Sequence, residues 1–466
     1  MTVSGLLAIS LALLCAAEAW RRTAWFSPAT LWSLWAAMNL VVLYGVIAAG
    51  VHLPLLQLSP MPSLHLAEQA SETALFFALM ALIGPLSTLG LSRRKDGGAS
   101  SGEASSGGAS SGGTEALRAA LGRLYDSPAA GAYAVFAALA AGLHFALIDK
   151  QALVLNTEYL SLADPRANGL DGAFGTFLNN ALRPLAMPAF LLAAVRGASG
   201  DRRRRWDARG ALIALICAYA FAYSLAIYSR YLMVYLFVFF LGKVLTRQGF
   251  GLRAALTTTL YTALIVAAFA VAIAGRGFQI QGLASIGAVL QSMELGAAEF
   301  LALKLLVTTF DGGLSFANAL RHAPDYEPLY QALSFSPLPS FLDGFAKIEP
   351  LMSRRINIYV PMSAFGEAWH FAWPLTALFG LICLAVTRQM TVGFFRHRDM
   401  VTIALYPVFL LSLLKFQTYS MRTSLRMFVA IAVISFIACR LRAARERARA
   451  GAAGAAGAAA AAGEPA

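Results

Sequence analysis

Four stretches between residues 275 and 373 decide how this chain is read: GRGFQIQG (275–282), TTFDGGLSFANALRH (308–322), LSFSPLPSFLDGF (333–345) and SRRINIYVPMSAFGEAWHFAW (353–373). Together they form the one long region that is neither a clean apolar span nor low-complexity filler. They carry Arg276, Asp311, Arg321, His322, Asp343, Arg354, Arg355, Glu367 and His370 between flanks of continuous apolar sequence. The flanks therefore read as a membrane scaffold that holds this segment against one face of a bilayer.

Composition agrees. The chain has 466 residues, of which 58% are hydrophobic and 13% charged. A soluble domain carries about 25% charged residues. Half that share leaves too little polar surface for a soluble globule, so the chain reads as an integral membrane protein. The formal charge of +13 would point to nucleic acid in a soluble protein. Here the basic residues cluster in short loops between apolar runs, as the positive-inside rule expects, and nucleic acid is not an expected partner. Cys15, Cys217, Cys383 and Cys439 sit singly in apolar runs. Their spacing offers neither a disulfide framework nor a metal site.

A span needs about 20 apolar residues. Runs that qualify lie at 3–20, 30–50, 72–92, 131–148, 177–195, 211–229, 231–246, 254–274, 368–387, 401–416 and 427–440. The expected fold class is thus an all-α polytopic integral membrane protein with about eleven transmembrane helices and a large late periplasmic loop of short helices. Transmembrane helices one to three occupy 1–95, a flexible cytoplasmic linker 96–130, helices four to eight 131–274, the large loop 275–367, helices nine to eleven 368–445, and a disordered Ala/Gly tail 446–466. Met1–Trp20 resembles a signal peptide but lacks a basic n-region; Arg21 and Arg22 follow the apolar run, which makes it a first span with its N-terminus outside. With eleven spans the basic clusters after Arg21, Arg93, Arg196, Lys243, Arg388 and Arg440 all fall on the cytoplasmic side. That agreement requires a real break at Arg230. Residues 284–308 are apolar with Glu294, Glu299 and Lys304 interspersed, which fits an interfacial helix. Pro337 and Pro339 mark a turn.

Candidate chemistry begins with Arg230, between AIYS and YLMVYLFVFF. An arginine between apolar spans is costly and usually serves an anion or a function; the alternative is a snorkelling or topology-marking residue. Arg183, in NNALRPLAMP, has a similar position and the same two readings. Arg276, Arg354 and Arg355 lie at the two ends of the large loop. If the loop closes they converge, and guanidinium pairs suit phosphate oxygens; attraction to lipid headgroups is the plainer account. Glu367 is a candidate base or a helix-start acid favoured by the dipole. His322 and His370 are lone histidines without ligand spacing, candidate substrate contacts or packed residues. Asp311 and Asp343 precede glycines and read first as turn residues. Trp369, Trp373, Tyr359 and Phe365 suit sugar stacking or an interfacial aromatic belt equally. No P-loop, HExxH or GxSxG motif occurs in the sequence. The loop has no paired acidic motif for a metal-bound nucleotide sugar. No cofactor and no metal site are expected.

SRYLMVYLFVFFLGK (229–243) resembles the glycine/serine-arginine segment of bacterial oligosaccharide repeat-unit polymerases, the Wzy family of O-antigen polymerases. YVPMSAFGEAWHFAWPLTALFGLICLAV (359–386) is similar to the point where their periplasmic loop re-enters the membrane. The resemblance implies a GT-C-like fold in a bacterial inner membrane, surrounded by membrane lipids. It implies glycosyl transfer between undecaprenyl-pyrophosphate-linked oligosaccharides, with a chain-length regulator as a possible protein partner. It maps Arg230 and Glu367 as catalytic positions; Arg276, Arg354 and Arg355 rest on the family's general use of periplasmic arginines. An O-antigen ligase shares the plan. A lipid-linked oligosaccharide flippase is the rival of another class, and it predicts charges in the middle of spans.

Overall fold

A computed structural model describes residues 3–24, 26–49, 63–91, 121–155, 172–196, 207–229, 231–246, 252–275, 281–292, 309–322, 325–338, 342–352, 355–357, 360–394 and 400–462. The long helices in chain order are α1 (Val3–Arg22) and α2 (Pro28–Ala49), then the short α3 (Ser63–Glu68), followed by α4 (Ala70–Ala81) and α5 (Ile83–Ser87). Next come α6 (Pro128–Leu147), the short α7 (Lys150–Val154), α8 (Gly172–Arg196), α9 (Ala208–Ala226), α10 (Tyr231–Leu245) and α11 (Leu252–Gly275). A layer of short elements follows: α12 (Ile286–Ser292), α13 (Gly312–His322), α14 (Pro328–Ser334), α15 (Phe345–Met352), β1 (Arg355–Asn357), β2 (Val360–Pro361) and α16 (Ala364–His370). The chain closes with α17 (Trp373–Val392), α18 (Met400–Thr418) and α19 (Met421–Ala462). β1 and β2 form one short antiparallel ladder.

Among the described residues, eight helices are long and apolar enough to cross a membrane: α1, α2, α4 with α5, α6, α8, α9, α17 and the first part of α19. Shorter apolar helices lie at Tyr231–Val244, Leu256–Ala272 and Val401–Gln417. The protein is thus a multi-pass helical membrane protein. Caps start several helices where polar side chains answer the free N–H groups of the first turn. Ser127 Oγ accepts from Ala130 N at 3.1 Å before α6, Asp207 Oδ1 from Gly210 N at 2.9 Å before α9, and Ser363 Oγ from Gly366 N at 3.1 Å before α16.

Two groups of helices pack side by side. α1, α2, α4 and α5 form one, with α17 against α2 and α5; α6, α8, α9 and α10 form the other. α18 joins them by packing on α8, α2 and α19. The break between α4 and α5 has a local cause. Pro85 has no N–H and its ring displaces the carbonyl of Ala81. The freed carbonyl is taken by α2, where Ser33 Oγ donates to Ala81 O at 2.7 Å, and Trp32 Nε1 donates to the neighbouring Met80 O at 2.8 Å.

Three expectations from the sequence are corrected. The span placed at 368–387 is divided: α16 ends at His370, Phe371 is extended, and the long helix starts afresh at Trp373 with Pro374 in its first turn. Glu367 therefore opens no span; it lies in a separate, buried short helix. The tail is helical rather than disordered, since α19 runs 42 residues to Ala462; alanine is the strongest helix former and carries the helix past the basic stop. Residues 121–126, placed in the linker, are helical too. The linker's Gly/Ser core and residues 293–308 of the expected interfacial helix lie outside the described residues.

Candidate functional site

α9 ends at Ala226 and α10 begins at Tyr231, so the chain does break where the charge pattern requires. The turn is held in a strained shape. Tyr228 sits at φ 46°, in the left-handed region that a bulky residue rarely enters. It is completely buried, its hydroxyl shares a hydrogen bond with Ser285 Oγ at 2.5 Å, and its ring lies so close to Gly275 that a Cβ there would come within 2.4 Å. Gly282 N–H donates to Ala226 O at 3.0 Å. Such strain persists only where the surroundings over-determine it. The turn leads into Arg230, which itself lies outside the described residues, and then Tyr231.

Around Tyr231 the structure assembles a cationic cluster. The Arg183 guanidinium of α8 lies 5.2 Å from the Tyr231 ring centroid, and Lys415 Nζ of α18 lies 6.0 Å from the same centroid and 5.5 Å from the Tyr419 ring. One ring thus ties both cations to one spot. Both side chains are half-buried. Arg183 Nε is enclosed and has no hydrogen-bond partner. Among the described residues no carboxylate pairs with either cation. Aromatic faces soften the cost of enclosing these charges, but two like charges side by side remain unfavourable without an anion.

A second cluster lies where α18 turns into α19, and its charges are answered. Glu367 is buried; Tyr330 Oη donates to its Oε1 at 2.9 Å and Met421 N to its Oε2 at 2.6 Å. Its carboxylate therefore caps the first turn of α19, where a helix favours negative charge. Arg422 Nη2 pairs with Asp343 Oδ2 at 2.5 Å and donates to Leu338 O at 3.0 Å; Nη1 donates to Leu333 O. The guanidinium lies 4.0 Å from the Phe345 ring centroid. Burial pushes the Asp343 carboxyl up, but hydrogen bonds from Arg422, Ser336 and Phe345 N–H, with the Arg422 charge, hold it down at about 2. Gly344 follows at φ 77°, so the turn expected at Asp343 is present.

His370 Nε2 donates to Ala319 O at 2.8 Å, tying α16 to α13. Gly366 permits that approach, because a Cβ there would lie 2.5 Å from Ala319 Cβ. Phe365 is completely buried, 5.4 Å from Trp35 and 5.7 Å from Phe416, so it packs the core and is not available to stack on a sugar. Trp373 is 81% exposed at the start of α17, as an interfacial aromatic is. His322 ends α13 and Arg355 lies in β1, with their side chains outside the described residues; so are Arg276, Arg354 and Tyr359. The convergence of the loop arginines is therefore not among the described contacts.

Sequence reasoning missed Lys415, Arg422 and Arg426. The signal was present: LLKFQTYSMRTSLRMF (413–428) places three cations around a break between two apolar runs. On the eleven-span topology that break faces the side where positive charge is least expected.

A bundle of apolar helices of this length places the chain in one class, the multi-pass helical membrane proteins. No family model, no curated protein and no solved structure matches the chain.

Proposed function

We propose that the protein is a membrane glycosyltransferase that polymerises undecaprenyl-pyrophosphate-linked oligosaccharide repeat units into O-antigen or a related surface polysaccharide. The observation that carries this reading is the pair Arg183 and Lys415, two cations on one tyrosine ring without a carboxylate partner among the described residues, beside the position of Arg230. The resemblance of 229–243 and 359–386 to the Wzy family supports it. In this reading the chain has eleven spans in a bacterial inner membrane, and the cationic end faces the periplasm. No nucleotide is needed there, because the lipid pyrophosphate is already activated.

The acceptor hydroxyl of one repeat unit attacks the anomeric carbon of the growing glycan. A C–O bond to the sugar forms, the C–O bond to pyrophosphate breaks, and undecaprenyl pyrophosphate leaves. Arg230, Arg183 and Lys415 neutralise the departing pyrophosphate, and Arg276, Arg354 and Arg355 steer it. The hydroxyl proton passes to a carboxylate, for which the resemblance offers Glu367. Anchoring both substrates in one bilayer supplies orientation.

One observation favours a second reading. Arg183 lies six residues inside the apolar stretch Phe177–Arg196, and a lipid-linked oligosaccharide flippase would also keep a charge within a span. A glycan ladder separates the two. The gene is deleted in a bacterial host and complemented with wild type, Arg230→Ala or Arg183→Ala. A polymerase predicts collapse to a single repeat unit on core, unrescued by either variant at normal membrane levels. Bare core with long chains on the carrier lipid identifies a ligase. Bare core with repeat units trapped on the cytoplasmic leaflet identifies a flippase. An unchanged ladder refutes all three.

A further inference from the structure

We propose that Asn179 and Tyr223, backed by His144, are positioning residues that hold the Arg183 guanidinium through uncharged groups and so leave its charge free for a phosphate ligand. This rests on reading the Arg183–Lys415 cluster as a phosphate site.

Asn179 lies one turn before Arg183 on α8, so the two share a face. Its Oδ1 accepts from Tyr223 Oη at 2.8 Å and faces His144 Nε2 at 3.3 Å. An amide oxygen has no proton to give, so both neighbours must donate. Nε2 therefore carries the imidazole proton, and Nδ1 is left to accept from the Tyr219 hydroxyl at 2.6 Å. With its own proton committed to Asn179, Tyr223 presents only lone pairs to its remaining neighbours. Arg183, which lies within side-chain hydrogen-bonding reach of that hydroxyl, has only donors to offer. The polarity of the whole chain of groups is thus set by one amide oxygen. His144, Asn179 and Tyr223 are 0%, 2% and 1% exposed, so none of the three meets a ligand itself. The backbone at Arg183 is fixed as well: Tyr235 Oη donates to Arg183 O at 3.2 Å, and Pro184 follows.

The chemistry of the holding groups matters. A carboxylate in place of Asn179 would grip Arg183 more strongly but cancel its charge. An amide and a phenol orient the guanidinium and leave the charge for an anion, whose affinity then depends on that orientation.

The test is calorimetric titration of inorganic pyrophosphate into the full chain in detergent, with thermal melting alongside. Wild type is expected to bind, and Arg183→Leu to lose most of the affinity. Tyr223→Phe, which keeps the ring, and Asn179→Leu are each expected to weaken binding about tenfold. In the Arg183→Leu background neither change should lower the residual affinity further, while any loss of melting temperature should persist in both backgrounds. A purely structural role would instead give equal effects with and without Arg183. If binding depends on Arg183 but is indifferent to Tyr223→Phe and Asn179→Leu, the positioning role is overturned and the phosphate site stands. If wild type does not bind pyrophosphate, or binds it regardless of Arg183→Leu, the phosphate-site reading fails and the positioning role goes with it.

Discussion

The two polar clusters of this bundle treat charge in opposite ways. At the α18–α19 turn, Arg422 meets Asp343 and Glu367 caps a helix, so each charge has a partner. Around Tyr231, Arg183 and Lys415 share a ring and meet no carboxylate among the described residues. A paired charge holds helices together. An unpaired one is a standing cost that a structure keeps for a ligand. The first cluster reads as a lock on the short helices; the second is where the proposed function puts its anion.

The sharpest way to break that contrast is to remove one member of the paired cluster. Asp343→Ala strands a nearly inaccessible guanidinium and is expected to cost about 3–5 kcal/mol, read as a large drop in melting temperature in detergent. Glu367→Gln keeps the shape but can accept only one of the two hydrogen bonds from Tyr330 and Met421, for an expected loss of about 1–3 kcal/mol. It should also abolish ladder formation if the carboxylate takes the hydroxyl proton. Arg183→Leu should behave in reverse: stability within about 1 kcal/mol of wild type or slightly above it, with polymer formation lost. A large destabilisation by Arg183→Leu would mean that its charge is partnered after all, and the contrast would fall.

The smallest expected effect is in acid. The Asp343 carboxyl is lowered from its ordinary 3.8 to about 2. A group depressed on folding contributes stability that is present above its unfolded pKa and lost as pH falls through the folded one. That contribution should hold down to about pH 4 and disappear between there and about pH 2. Asp343→Asn should lack this acid-sensitive part while keeping the rest of the pH profile.

How much was legible beforehand differs between backbone and site. The apolar runs at 3–20, 131–148, 211–229 and 401–416 all correspond to helices, because a run of that length has few other ways to satisfy its backbone in lipid. The break at Arg230 was legible from charge placement. The division at Phe371 was not, since the apolar run crosses it and only Pro374 hints at a new start. Arg183 was visible as a charge in an apolar setting. Its companion Lys415 stands 232 residues later in the chain, and nothing local in LLKFQ announces that it faces Tyr231.

By itself, then, the sequence determined the solvent and the scaffold: hydropathy is a local property, and lipid enforces helices wherever it persists. Tertiary structure decided which charges are paired. Coulomb interactions act between side chains that packing brings within a few ångströms, whatever their separation along the chain. Glu367 became a helix cap and Arg183 an unanswered cation only when α19 and α18 settled beside them.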